Sequence, residues 1–209
     1  MEQPSFEEFD EKRIVPRFNV APSQFAPIVR RDASNNISID LITWGLVPSW
    51  THGTPKIKPI NARAETVSTS GMFRQAFSRR RCLVPADGFY EWQGTKPPKQ
   101  PMFIHFPDDR SFAFAGLWER WKPAPDAEPL DTFTIITTTA NTEMSPIHSR
   151  MPVILDEKDY EQWLAPEPAG EAVGKLLRPY HDGVIETYPV STLVNKPANE
   201  GPRLVERIS

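Results

Sequence analysis

The prolines set the limits on what this chain can fold into. There are 23 of them in 209 residues, against 10 glycines. Each holds φ at about −65° and removes a backbone donor, which argues against long helices and a helical bundle. What remains is a series of short elements joined by ordered loops. The runs between the prolines are rich in β-branched and aromatic residues. Residues 25–31 and 37–44 read as strands around the turn cluster Asp32-Ala33-Ser34-Asn35-Asn36. Residues 102–106 and 112–118 read as two more, joined by a turn at 107–110. The Thr/Ile run at 132–139 is strongly β-prone, and 184–190 gives a late strand.

Helical patterns are few. Met72, Phe73, Ala76 and Phe77 fall at helical spacing in a short helix or turn over 72–77. Asp156 is placed to cap a helix running to about Leu164, with Tyr160, Trp163 and Leu164 on one face. A further helix is expected over 169–177. Strands outnumber helices, so the expected class is α+β with a curved, barrel-like, mostly antiparallel sheet and a few peripheral helices. The length suits a single domain over 1–209, with residues 1–15 as a loosely tied acidic terminus.

With 39% hydrophobic and 24% charged residues the chain is globular. A net charge of −3 excludes a general basic coat for nucleic acid, so any such contact must come from a local patch. One exists at 61–81, where Arg63, Arg74, Arg79, Arg80 and Arg81 face only Glu65. The single cysteine, Cys82, excludes an intramolecular disulfide and a multi-cysteine zinc site. There is no signal peptide and no apolar run of membrane length, which points to a reducing, cytoplasmic setting.

The stretch 79–92, Arg-Arg-Arg-Cys-Leu-Val-Pro-Ala-Asp-Gly-Phe-Tyr-Glu-Trp, joins a basic run to a turn at Asp87-Gly88 and a β-prone segment with one carboxylate among three aromatics. Apolar neighbours raise a carboxyl pKa, as proton transfer near neutrality requires, so Glu91 is a candidate acid–base group. The alternative is an edge-strand glutamate turned to solvent. His148 lies in the Pro-bounded loop Ser-Pro-Ile-His-Ser-Arg-Met-Pro at 145–152 and is a candidate acid or base, or else a hydrogen-bonded structural residue. His52, His105 and His181 have no such setting. Asn61 and Arg63 would share one side of an extended strand, and an amide beside a guanidinium suits a phosphate; a turn residue and a solvated arginine are the alternative. Cys82 sits in a β-prone run, where cysteines are packed and inert, although a thiol hydrolase built on Cys82 and His148 is a competing reading. Trp50, beside a loop, is a candidate stacking side chain. The arginine run at 79–81 reads as a solvated basic edge.

Several of these pieces occur in one order: Asn-Val-Ala-Pro-Ser-Gln at 19–24, Trp-Gly-Leu-Val-Pro-Ser-Trp at 44–50, Asn-Ala-Arg-Ala-Glu-Thr at 61–66, Arg-Cys-Leu-Val-Pro-Ala-Asp-Gly-Phe-Tyr-Glu-Trp at 81–92 and Pro-Ile-His-Ser-Arg-Met-Pro at 146–152, with Val190-Ser191 through Asn195 near the end. Together they resemble the SOS-response-associated peptidase (SRAP) family, from about Phe18 to Leu204. The resemblance implies a pseudo-barrel α+β fold and a sensor of abasic sites in single-stranded DNA. In that family an N-terminal cysteine, exposed by removal of the initiator Met, condenses through its amine with the ring-opened sugar. Its thiol then closes a thiazolidine, and the same cysteine serves an autopeptidase activity.

Carried over by the resemblance, Asn61 holds the reacting end, Glu91 is the acid–base carboxylate, and His148 helps to open the sugar ring. Arg63 and Arg150 contact phosphates, while Trp50, Met72 and Phe73 break the base stack. No cofactor, no metal and no membrane enter this reading; the partner is single-stranded DNA bearing abasic sites, and the expected state is a monomer, cytoplasmic and nucleoid-associated when bound. One departure stands out. The family begins Met-Cys-Gly-Arg and this chain begins Met-Glu-Gln-Pro. Two expectations follow: an N-terminal piece is missing, which is the favoured one, or the chain is a divergent member that binds single-stranded or junction DNA without crosslinking it. Enzyme and binding module therefore both stay open.

Overall fold

A computed structural model describes residues 15–32 and 34–209. The expected loose terminus at 1–15 lies, apart from Val15, outside the described residues. In chain order the strands are β1 (Phe25–Arg31), β2 (Ile37–Trp44), β3 (Asn61–Arg63), β4 (Arg81–Ala86), β5 (Gly88–Gln93), β6 (Gln100–His105), β7 (Phe112–Trp121), β8 (Leu130–Thr139), β9 (Arg150–Pro152), β10 (Ile154–Leu155) and β11 (Glu186–Pro189). The helices are α1 (Arg74–Arg79), α2 (Tyr160–Leu164) and α3 (Glu171–Gly174).

β1 and β2 form where the alternation predicts them and pair antiparallel along their length. Their turn is made by Asp32, whose Oδ1 accepts the backbone N–H groups of Ser34 and Asn36. β7 runs antiparallel to both β4 and β8, β4 meets β1 at Val29 and Leu83, and β2 runs parallel to β8. These contacts close a ring of five strands, β1-β2-β8-β7-β4. The sheets are mostly antiparallel and the helices peripheral, as the sequence indicates. Ile28, Ile42, Cys82, Phe114, Phe133 and Ile135 fill the inside of the ring. A second apolar layer, with Leu46, Phe77, Leu117, Ile136 and Trp163, packs helices and loops on the outside. β7 is therefore covered on both faces, which explains its nearly unbroken apolar run.

A second sheet, β11-β6-β5, stands beside the ring. Asp87-Gly88 is not a hairpin turn: β4 and β5 belong to different sheets, and the bend lets the chain cross between them. Gly88 is needed because a Cβ there would lie 2.3 Å from the Phe103 ring.

Three expectations need correction. The arginines at 80 and 81 are not a solvated edge. Arg81 is only 5% exposed and donates to the carbonyls of Phe77, Ser78, Trp163, Ala165 and Glu167, while Arg80 pairs with the buried Glu119 at 2.7 Å. A guanidinium has five donors, enough to satisfy several chain ends at once, and this is what allows the burial. Asp156 stands at the N-cap position, but its side chain makes no capping hydrogen bond. A 3₁₀ turn over Glu157–Asp159 precedes α2, and the Asp156 carboxylate faces His181, Arg178 and Lys158 instead. The last helix shrinks from 169–177 to four residues, because Gly170 and Gly174 bound it.

Candidate active site

β5 is an edge strand, and its two faces do different things. Tyr90 and Trp92 point one way. The Tyr90 hydroxyl donates to the Phe18 carbonyl at 2.8 Å, and Trp92 Nε1 donates to Asn195 Oδ1 at 2.8 Å. Burial raises the Tyr90 phenol to about 12, so it stays a donor. Asn19 completes this corner, its amide reaching the carbonyls of Val194, Lys196 and Asn199. The chain segment entering at Phe18 is thus tied to β5 on one side and to the C-terminal loop on the other.

Phe89, Glu91 and Gln93 occupy the opposite face. Phe89 packs edge-on against Phe114, and Gln93 donates to the Pro146 carbonyl at 3.2 Å. Glu91 lies between them, with Oε1 accepting the Trp92 N–H at 3.0 Å and Oε2 4.0 Å from His148 Nδ1. The structure thus joins Glu91 and His148, 57 residues apart, by register and not by the aromatic flanks that single out Glu91 in the sequence.

His148 Nδ1 is 3.1 Å from both the backbone N and the backbone O of Arg150. With its proton on Nε2 the ring accepts the Arg150 N–H at Nδ1; with a proton on Nδ1 it donates to the Arg150 carbonyl. Glu91 lies beside the same nitrogen.

Arg150 opens β9, across β8 from β3. Its Nε and Nη2 donate to the Oγ1 and carbonyl of Thr137 at 3.2 and 2.6 Å. The outer edge of the guanidinium grips Glu65 in a two-pronged pair, 3.0 Å on each bond. Hydrogen bonding from Arg150 holds the Glu65 carboxyl below the usual carboxylate range. Arg150 therefore reaches this site already engaged. On β3, Asn61 and Arg63 are exposed and Ala62 between them is buried, the alternation the sequence suggests. Arg63 pairs across to Thr137 and, among the described residues, has no ion-pair partner. Asn61 makes no side-chain hydrogen bond among them.

Trp50 is 51% exposed. Its loop runs along β8, with the Val47 N–H on Thr132 Oγ1 and the Thr51 carbonyl on Trp121 Nε1. From Thr132 to Thr137 is about 17 Å of strand, so Trp50 stands well apart from His148. Met72 and Phe73 are half-buried, and Phe73 packs on the outer apolar layer. Cys82 is corrected as a nucleophile: it is fully buried inside the ring, and burial pushes its thiol pKa up. No thiol hydrolase can be built on it. Among the described residues no three His, Cys, Asp or Glu side chains converge as metal ligands. A groove of about 580 Å³ lies behind the His148 loop against Tyr180, His181 and Asp182, and Glu91 is not in its lining.

The SOS response associated peptidase (SRAP) family model matches residues 2–197. The chain belongs to this family. Among SRAP relatives, the abasic site processing protein YoqW of Bacillus subtilis is 46% identical over 195 residues, 91% of this chain and 86% of that protein. The abasic site processing protein HMCES of Gallus gallus is 37% identical, over 92% of this chain and 66% of that protein. A crystal structure of a protein from Bacteroides thetaiotaomicron superposes with a TM-score of 0.80 at 30% identity, covering 90% of this chain and 82% of that one. The residue that sequence reasoning missed is Glu65. No local pattern marks it, because Glu65 stands on the turn after β3 and its partner lies 85 residues on.

Proposed function

We propose that this SRAP protein processes abasic sites in single-stranded DNA, with Glu91 and His148 as its proton-transfer pair. The observation that carries this reading is their 4.0 Å approach beside the Arg150 backbone. An abasic sugar must open to its aldehyde, and an amine must add to that aldehyde and expel water. Each step moves a proton on or off oxygen, and a carboxylate with an adjacent imidazole supplies such transfers. Arg63 and Arg150 hold phosphates on either side of the sugar, Trp50, Met72 and Phe73 contact bases, and Asn61 orients the attacking amine. The protein acts as a monomer, in the cytoplasm, on DNA. Among the described residues no helix is long and apolar enough to cross a membrane. Cys82 is enclosed and cannot supply a thiol for closure to a thiazolidine.

The test uses protein extended by a segment beginning Met-Cys, mixed with a single strand carrying one abasic site. A denaturation-resistant product is expected on that strand and none on the intact strand. Glu91→Gln and His148→Ala should slow its formation by about 10²-fold or more. If the extended protein gives no shifted band, the proposal fails; if it binds without a covalent product, the non-covalent module takes its place.

A further inference from the structure

Glu65 fills the one edge of Arg150 that a DNA phosphate would need. Two donors of this guanidinium are fixed to Thr137, which aims the remaining edge outward, and Glu65 closes that edge with two parallel bonds of 3.0 Å. A carboxylate and a phosphodiester present the same pair of oxygens to an arginine fork, so one can replace the other. The two sides of the pair differ in how firmly they are held. The Arg150 side chain is 22% exposed and anchored in the sheet, whereas that of Glu65 is 47% exposed and sits on the turn after β3. Arg63, two residues before Glu65, is exposed on the adjacent strand end. One carboxylate thus stands with two guanidiniums, and its departure leaves both for an incoming backbone.

We infer that Glu65 is a placeholder for a DNA phosphate: its carboxylate occupies the fork of Arg150 in the free protein and is displaced when a single strand binds. The inference rests on the reading of Arg63 and Arg150 as phosphate contacts. It makes Glu65 a determinant of affinity that opposes binding, while it keeps the guanidinium in position beside His148. Partly exposed ion pairs are weak, so the exchange is readily reversible.

Binding of a short fluorescein-labelled intact single strand, followed by anisotropy between about 50 and 200 mM salt, tests it. Glu65→Gln should bind about three- to fivefold tighter than the parent protein. The slope of log K against log salt should stay close to the parent's, because Arg150 meets the same phosphate in both complexes once Glu65 has left. Glu65→Asp, whose shorter side chain cannot keep both bonds, should shift the same way and serves if Glu65→Gln does not fold. Adding Arg150→Ala should erase the gain. Equal or weaker binding by the Glu65 variants, with parent binding still weakened by Arg63→Ala, would show a permanent strut and overturn this inference alone. Parent binding indifferent to both Arg63→Ala and Arg150→Ala would overturn the phosphate-contact reading and this inference with it.

Discussion

Glu91 owes its setting to the parity of β5. The aromatics on either side of it in the sequence face away, toward Phe18 and Asn195, and the groups that meet its carboxylate come from residues 92 and 148. The sequence therefore singles out Glu91 through neighbours that do not surround it. Glu65 is harder to find, because an ion pair spanning 85 residues leaves no local pattern. Another such pair closes the far end of the ring, where Asp131 accepts from Arg30 and Arg120 at 2.8 Å and Arg30 lies over the Trp118 ring. Burial alone would raise the Asp131 carboxyl, but hydrogen bonds from the two arginines outweigh it and hold it below its ordinary value. A carboxyl depressed in the folded state stabilises the fold above its unfolded value, 3.8, and loses that contribution as pH falls through the folded value. Asp131→Asn should thus cost about 2–3 kcal/mol at pH 7, between the exposed and fully buried cases. Denaturant midpoints of the two proteins should converge once the pH is well below about 4. A gap that persists there would mean that the charge is not the cause.

At the scale of elements, β1 and β2 were legible to the residue, because alternation, turn chemistry and pairing all agree. The helices were legible only in outline. They are too short for periodicity to fix their ends, and the side chain of Asp156, a good capping residue, is drawn instead to Arg178 and His181 further along the chain and to Lys158. The arginine run shows the same thing in reverse. Three adjacent like charges look like a solvated face, yet Arg79 is exposed, Arg80 is half-buried and Arg81 ties the ends of α1 and α2 to β4. Arg81→Lys keeps the charge and loses the fork, and should destabilise the fold by about 2–4 kcal/mol in chemical denaturation. Arg79→Ala should stay within about 0.5 kcal/mol. Equal effects at the two positions would contradict this division of labour.

At the scale of the whole molecule, the sequence suggests a curved, barrel-like sheet but not which strands close it. The β1–β4 and β2–β8 pairings join segments far apart in the chain, and nothing local encodes them or the separation of β4 from β5. That closure makes the site. It brings β3 and β9 to either side of β8 and sets the His148 loop against the edge of the second sheet. A groove of about 580 Å³ lies on the other side of the same loop, so volume alone does not identify the chemistry. The central claim is that the abasic sugar sits at Glu91 and His148. The most direct measurement is a crystal structure with a single strand bearing a tetrahydrofuran abasic analogue. The predicted result puts the sugar within hydrogen-bond reach of His148 Nε2 and Glu91, with the flanking phosphates on Arg63 and Arg150. A sugar seated instead in the groove at Tyr180 and His181 would contradict it.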